Sequence, residues 1–358
     1  MQTPIFIFEK AKLEQNYKEL ENLCKKYFPS FKIAYSVKTN SSKEVISTLS
    51  NLNSGFEVAS SEEIKLIKGK SKFIIFNGPA KTQAELSQTV KSKFLINIDS
   101  ISEINKISKL TKSKKIQANL RIAIEESKFG IEESKIEKII EYAKSKGIEI
   151  IGLHLHQGTQ VNFKDYEQRL IIFENILERL KEKGIKFKYL DIGGGIPDKQ
   201  QLKNLSLSQN HYLEALSKHL NKFNATIILE PGRALVSDSF HLLTKVIALK
   251  ESFNKTYAIL DTGINLLPKI TLSSYKFSKY VGIAGKRKDC KDSSCITNMQ
   301  EKSKEYFLAG PLLFSNDVLG KFQGSLQESD ILKVENVGAY CFNLSWEISY
   351  KKPKIISK

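Results

Sequence analysis

Cysteine is scarce in this chain. Four occur in 358 residues, at positions 24, 290, 295 and 341, too few and too scattered for a disulfide framework. Cys290 and Cys295 lie close together, but no second pair and no nearby histidine completes a zinc-ligand set. No metal is therefore expected, and a reducing, cytoplasmic setting fits. Long apolar runs are also missing: none approaches the roughly 20 residues that span a bilayer, so no membrane partner is expected. The opening MQTPIFIFEKAKLEQNY has only the short apolar run Ile5–Phe8 before Glu9 and Lys10, which does not read as a signal peptide. There is no internal repeat, and no basic segment interleaved with aromatic residues. That last absence matters because Lys and Arg number 56 against 39 acidic residues, a net charge of +17. Spread along the whole chain, this charge argues against nucleic acid and suits a small anionic substrate.

With 41% hydrophobic residues the chain can bury a large core. Runs rich in β-branched and aromatic residues fall near Ile33–Val37, Phe56–Ala59, Phe73–Phe76 and Phe94–Ile98. Four more fall near Ile116–Ile122, Ile150–Leu155, Tyr189–Ile192 and Thr226–Leu229. Between most of them the apolar spacing is helical: Ile136, Ile139, Ile140 and Ala143 before Gly147, then Phe163, Tyr166, Leu170, Phe173, Leu177 and Leu180 before Gly184. Eight strands alternating with helices predict a (β/α)8 barrel, with a doubly wound sheet as the structural rival. From about Phe240 the long amphipathic helices stop. The runs His241–Leu249, Thr256–Leu260, Tyr306–Ala309 and Asp330–Val334 predict a second, all-β domain, and Lys286–Lys304 reads as a solvated loop. The expected division is a barrel over residues 25–238 and a β domain from residues 1–24 plus 239–358.

In a barrel the reactive groups gather at the carboxyl ends of the strands. The first run ends at Lys38, the second contains Glu57, the third ends Asn77-Gly78-Pro79 and the fourth reaches Asp99. The fifth carries Arg121, with Lys128 after it. The sixth ends His154-Leu155-His156-Gln157-Gly158-Thr159, the seventh Asp191-Ile192-Gly193-Gly194-Gly195, and the eighth Glu230-Pro231-Gly232-Arg233. Each has an ordinary reading: a solvated lysine, a packed histidine, a tight glycine turn, an arginine paired with Glu230. Together an amine, a glycine turn able to close on a phosphate and a buried carboxylate fit pyridoxal phosphate.

On the motifs AYSVKTN, GFEVASSEEI, NGPAKT, HLHQGTQ, DIGGG, EPGR, GPLLFSNDVL and GAY, in that order, the sequence resembles the fold-type III pyridoxal-phosphate decarboxylases, which include diaminopimelate and ornithine decarboxylases. The resemblance runs nearly the whole length. It implies an alanine-racemase-like fold, a TIM barrel followed by a β domain. It implies that Lys38 carries the cofactor as a Schiff base, with Glu57 nearby, and that His156 stacks on the ring. Thr159, Gly193, Gly194, Gly195, Gly232, Arg233 and Tyr340 would surround the phosphate, and Glu230 would keep the pyridine nitrogen protonated. Lys38, His156 and Glu230 are thus the expected catalytic residues. It also implies a homodimer in which GPLLFSNDVL enters the partner's site.

One departure bears on substrate. Where these decarboxylases carry a cysteine followed by an acidic residue, this chain has Leu313 and Phe314. The family's cysteine protonates the reacting carbon, and its acidic neighbour grips a distal ammonium. Without that carboxylate a buried cation has no counter-charge. Leu313, Phe314 and Asp317 are therefore the expected substrate-binding residues, for a substrate whose distal amine is acylated. The run GINLLP at Gly263–Pro268 is similar to the branch that decarboxylates citryl-diamino acids in siderophore synthesis. The expectation is citryl-ornithine or citryl-diaminopropionate. The alternatives are an ordinary diaminopimelate, ornithine or lysine decarboxylase and, from another class, a non-catalytic regulatory relative.

Overall fold

The computed structural model describes residues 2–110, 115–268, 272, 273, 275–280 and 303–358. Cys290, Cys295 and most of the expected loop Lys286–Lys304 lie outside them. The chain divides into two compact units, Met1–Lys10 with Ser237–Lys358, and Ala11–Val236. Helix residues from Ala11 onward thus group with the barrel.

After strand β1 (Ile5–Phe8) and helix α1 (Lys10–Tyr27), the barrel chain runs β2 (Phe31–Ser36), α2 (Lys43–Asn51), β3 (Gly55–Val58), α3 (Ser61–Ile67) and β4 (Ile74–Phe76). It continues α4 (Gln83–Lys91), β5 (Leu95–Ile98), α5 (Ile101–Ser108), β6 (Ile116–Ala123), the two-residue β7 (Ile131–Glu132) and α6 (Ile136–Ser145). Then follow β8 (Ile148–His154), α7 (Phe163–Glu182), β9 (Tyr189–Asp191), α8 (Lys199–Asn204), α9 (Gln209–Leu220), β10 (Thr226–Leu229) and the single turn α10 (Arg233–Val236). The order β5-β4-β3-β2-β10-β9-β8-β6 is parallel throughout, and the β5–β6 pairing closes it. That closure decides against the doubly wound sheet.

The helices begin where short polar side chains cap them. Ser60, Ser100 and Asn162 accept the N–H of Glu63, Glu103 and Asp165, and Thr82 with Glu85 forms a reciprocal capping box. In α7 the residues Tyr166, Leu170, Phe173, Leu177 and Leu180 are all buried, the stripe that the sequence spacing marks. No described helix is long and apolar enough to cross a membrane.

The other unit is mostly sheet. It contains β1, β11 (Phe240–Ser252), β12 (Lys255–Leu260), β13 (Lys276–Lys279), β14 (Lys304–Ala309), β15 (Val318–Gly324), β16 (Ile331–Glu335) and β17 (Ile355–Ser357), with a 3₁₀ turn, Ser237–Ser239, before β11 and a helical turn, α11 (Cys341–Leu344), before β17. The order is β13-β16-β11-β12-β14-β15, with β1 pairing both β11 and β17. Val246, Ala258, Leu260, Tyr306, Leu308 and Leu332 form its core.

Candidate active site

Every barrel strand delivers its last side chain or its following turn to one end. β2 ends at Ser36 and the chain tightens into a 3₁₀ turn, Val37–Thr39, which carries Lys38. Lys38 Nζ lies 3.0 Å from Glu57 Oε2, and Ser36 Oγ donates to the same oxygen at 2.5 Å. Burial alone would raise the Glu57 carboxyl, but the Lys38 ammonium and these hydrogen bonds outweigh it and hold the group below the usual range. Glu57 therefore stands ionised beside the amine.

Two further acids, Glu230 and Asp191, share the site. Glu230 is buried, and Asn77 Nδ2 donates to both of its oxygens, at 2.8 and 3.0 Å. Asp191 accepts Asn97 Nδ2 at 2.8 Å and the Gly193 N–H at 3.0 Å. Burial, with the charges of Asp191 and Glu57, pushes Glu230 well above the ordinary glutamate value. Burial likewise raises Asp191, to about 6. A cationic ring nitrogen next to Glu230 would supply the counter-charge these acids lack.

His154 and His156 complete the wall. Their spacing of two would suit one face of a strand, but β8 stops at His154 and His156 lies just past it. Burial first, then the neighbouring cations, depresses both imidazoles, His156 to about 3, so both are neutral. The polar atoms of His154, His156 and Glu230 lie within 4.8 Å of one another, a spacing a metal would also accept.

The glycine turn stands against these histidines because nothing larger fits. Gly193 has φ +63°, and a Cβ on it would sit 2.7 Å from His156 Nδ1. Gly195 has φ +110°, and its Cβ would meet the Gln157 Cβ at 2.8 Å. The Gly193 N–H is already taken by Asp191, while the Gly194 N–H reaches His156 Nδ1 only at 3.4 Å. Gly232 must be glycine as well, since a Cβ there would fall 2.0 Å from Thr39 Oγ1. Arg233 is buried, 3.8 Å from Asp198, and Thr159 is exposed in the loop beyond His156. Taken together, an amine, a buried acid able to face a ring nitrogen, an imidazole and a glycine-walled cradle fit pyridoxal phosphate. When bound, that group would supply an electron sink for a carbanion formed next to the amine.

Other rim residues contact one another. Asp99 pairs with Arg121 at 3.5 Å, and the guanidinium lies 4.3 Å from the Phe129 ring centroid. Lys128 lies over the same ring. Lys81 of NGPAKT is fully buried, bonding the Gly78 and Asn97 carbonyls and Glu103 at 2.6, 2.8 and 2.9 Å. It ties the turn after β4 to the next strand and helix.

Tyr340, Leu313, Phe314 and Asp317 belong to the sheet unit. Tyr340 has φ +67° at the start of α11. Leu313 is fully exposed and Phe314 half-exposed, with the Trp346 ring edge-on to Phe314 at 6.2 Å. Asp317 turns inward: its oxygens accept the Ile264 and Leu312 N–H groups at 2.7 and 2.8 Å. Both oxygens are thus used to hold the GPLLFSND loop against the GINLLP turn. Among site residues, sequence reasoning passes over Ser36, Asn97 and Asn119. Asn97 is the single polar residue of its strand, whereas Ser36 shares a strand with Lys32, and Asn119 lies between Gln117 and Arg121, so nothing in the pattern marks those two.

Comparison with known proteins agrees with this chemistry. Residues 13–237 match the family described as pyridoxal-dependent decarboxylase, pyridoxal binding domain. Diaminopimelate decarboxylase of Vibrio cholerae is 29% identical, covering 96% of this chain and 84% of that protein. The enzyme of the same name from Aquifex aeolicus is 27% identical, covering 96% and 83%. The crystal structure of diaminopimelate decarboxylase from Helicobacter pylori, complexed with L-lysine, superimposes with a TM-score of 0.84 at 25% identity, over 97% of this chain and 89% of that one. The chain belongs to the pyridoxal-dependent decarboxylases, and it is a pyridoxal-phosphate-dependent amino-acid carboxy-lyase.

Proposed function

We propose that Lys38 holds the cofactor through its amine, that His156 lies on the ring face, and that Glu230 faces the ring nitrogen. Glu57 then gives any proton leaving or reaching the lysine a fixed carboxylate at 3.0 Å. Gly193 lends its N–H to Asp191, and Gly194, Gly195, Thr159, Gly232 and Arg233 receive the phosphate. Two copies of the chain share their sites, the GPLLFSND loop of one entering the other. Mixing Lys38→Ala with an inactive loop variant should restore some activity through one intact hybrid site; no recovery after verified subunit exchange counts against sharing.

For the substrate we infer an amino acid whose distal end is not a free ammonium, such as citryl-ornithine or citryl-diaminopropionate. The carrying observation is the half-exposed Phe314 backed by Trp346, where a grip on a cation would need a carboxylate. Asp317, the one acid in residues 310–317, has both oxygens on backbone amides. An ammonium enclosed against that surface by the partner subunit, without a carboxylate, would cost on the order of several kcal/mol. The second reading, diaminopimelate, is favoured by the relatives of that name. A carbon-dioxide release assay across diaminopimelate, free ornithine, lysine and diaminopropionate, and the citrylated compounds separates the two. Equal or better turnover of a free diamino acid removes the acylated reading.

A further inference from the structure

Three asparagines on consecutive barrel strands form a directed chain. Asn119 Nδ2 donates to Asn97 Oδ1 at 2.9 Å. Asn97 Nδ2 donates to Asn77 Oδ1 at 2.7 Å and to Asp191 Oδ2 at 2.8 Å. Asn77 Nδ2 then donates to both Glu230 oxygens. All three side chains are buried. With Glu230 ionised, the state a cationic ring nitrogen beside it would favour, the sense of the chain is forced. Turning the Asn77 amide over would set its carbonyl against the Glu230 carboxylate and its nitrogen against that of Asn97. Each amide upstream inherits the same constraint. A carboxylate at one end thus orients three amides, and the amides in return fix the plane of that carboxylate.

Packing gives no reason for amides here. One step down the same strands, Ile75 and Leu95 occupy the positions two residues before Asn77 and Asn97 and pack as apolar neighbours. Burying an amide without partners costs roughly 1–3 kcal/mol, so the three form a unit in which each depends on the next. We propose that Asn77 is a positioning residue for Glu230, held in register by Asn97 and Asn119, and that this ladder sets how the carboxylate meets the cofactor. The inference rests on Glu230 facing the ring nitrogen. It extends that reading to residues that do not touch the cofactor.

The test is a double-mutant cycle read on cofactor binding rather than on turnover. Asn77→Leu and Asn97→Leu are made in the wild type and in Glu230→Gln. The affinity of each apo-protein for pyridoxal phosphate is measured by equilibrium dialysis, and the absorbance of the bound chromophore is followed against pH. If the ladder acts through Glu230, each substitution weakens binding by at least about fivefold and shifts the absorbance profile in the wild type. In Glu230→Gln each changes affinity by less than about twofold, because their effects are coupled. Equal losses in both backgrounds overturn the proposal, as does an unchanged affinity and spectrum. Thermal melts check that each variant is folded, and Asn77→Ser, which leaves a small polar side chain, replaces Asn77→Leu if the latter does not fold. Wild-type protein that fails to take up pyridoxal phosphate would remove the site reading itself. Normal uptake by wild type and ladder variants alike removes only the ladder.

Discussion

The two ends of one barrel interior differ more than any two strands do. Ala34, Ile75 and Ile228 pack together inside the barrel, with Phe73, Leu95 and Tyr189 against them. Two residues further on, the same strands carry Ser36, Asn77, Glu230, Asn97 and Asp191. A period of two keeps both layers facing inward, so one short step changes an apolar plug into a polar floor. The lower layer stabilises by removing apolar surface from water. The upper layer gathers acids whose charges oppose one another and relies on hydrogen bonds and Lys38 to hold them. Stability and chemistry are thus separated along the strand axis rather than assigned to different strands.

Substitutions in either layer can break or sharpen that contrast. The largest effect is expected from Lys38→Ala, which should lose the visible absorbance band and carbon-dioxide release by at least about three powers of ten. A variant that keeps either would dismiss Lys38 from its role. Glu230→Gln should lower kcat/KM by roughly 10²–10⁴ while raising the Tm of the apo-protein, since it removes one of the mutually repelling acids. An apo-protein melting lower than wild type would show that the upper layer is not strained by charge.

Substrate choice comes next. Phe314→Glu should improve kcat/KM for a free diamino acid by roughly tenfold and depress it for a citrylated one; a change of the same sign for both would argue against a charge effect at that position. Asp191 gives a pH signature. Its carboxyl ionises near 3.8 when unfolded and near 6 in the fold. Between those values the unfolded chain releases a proton that the folded protein retains, so stability falls as pH rises from about 4 to 6 and the loss is complete above. Asp191→Asn should remove that slope and raise the apo-protein Tm at pH 7 by roughly 2–5 °C. A wild-type-minus-variant difference that is flat from pH 4 to 7 would exclude it. Ile75→Ala, in the lower layer, should cost about 2–4 kcal/mol of stability and leave kcat/KM within twofold. A large loss of activity there would join the two layers after all.

The barrel is legible because each strand is a short apolar run closed by turn residues, and each long helix shows one buried stripe. Lys38, Glu57 and Glu230 are legible as charges at strand ends. Asn97 and Asn119 are not, because one asparagine in a strand looks the same whether it faces solvent or a neighbouring amide; only the register of adjacent strands tells them apart. Asp317 is a different case. Its place beside Phe314 in sequence suggests the substrate, yet the fold turns it onto backbone amides 53 and 5 residues away. The strands Lys276–Lys279 and Val318–Gly324 escape as well, their burial being only partial.

The sheet unit has a consequence for how the protein is made. β1 pairs with β11 on one side and with β17 on the other, so the sheet draws its strands from both sides of Ala11–Val236. During synthesis the barrel segment can emerge and close by itself, while Ile5–Phe8 remains an apolar strand without its neighbours until Phe240 and then Ile355 leave the ribosome. Its pairings carry the longest sequence separations in the chain and are expected to form last. A nascent chain arrested before Phe240 should therefore offer chaperones one exposed strand beside an already protease-resistant barrel.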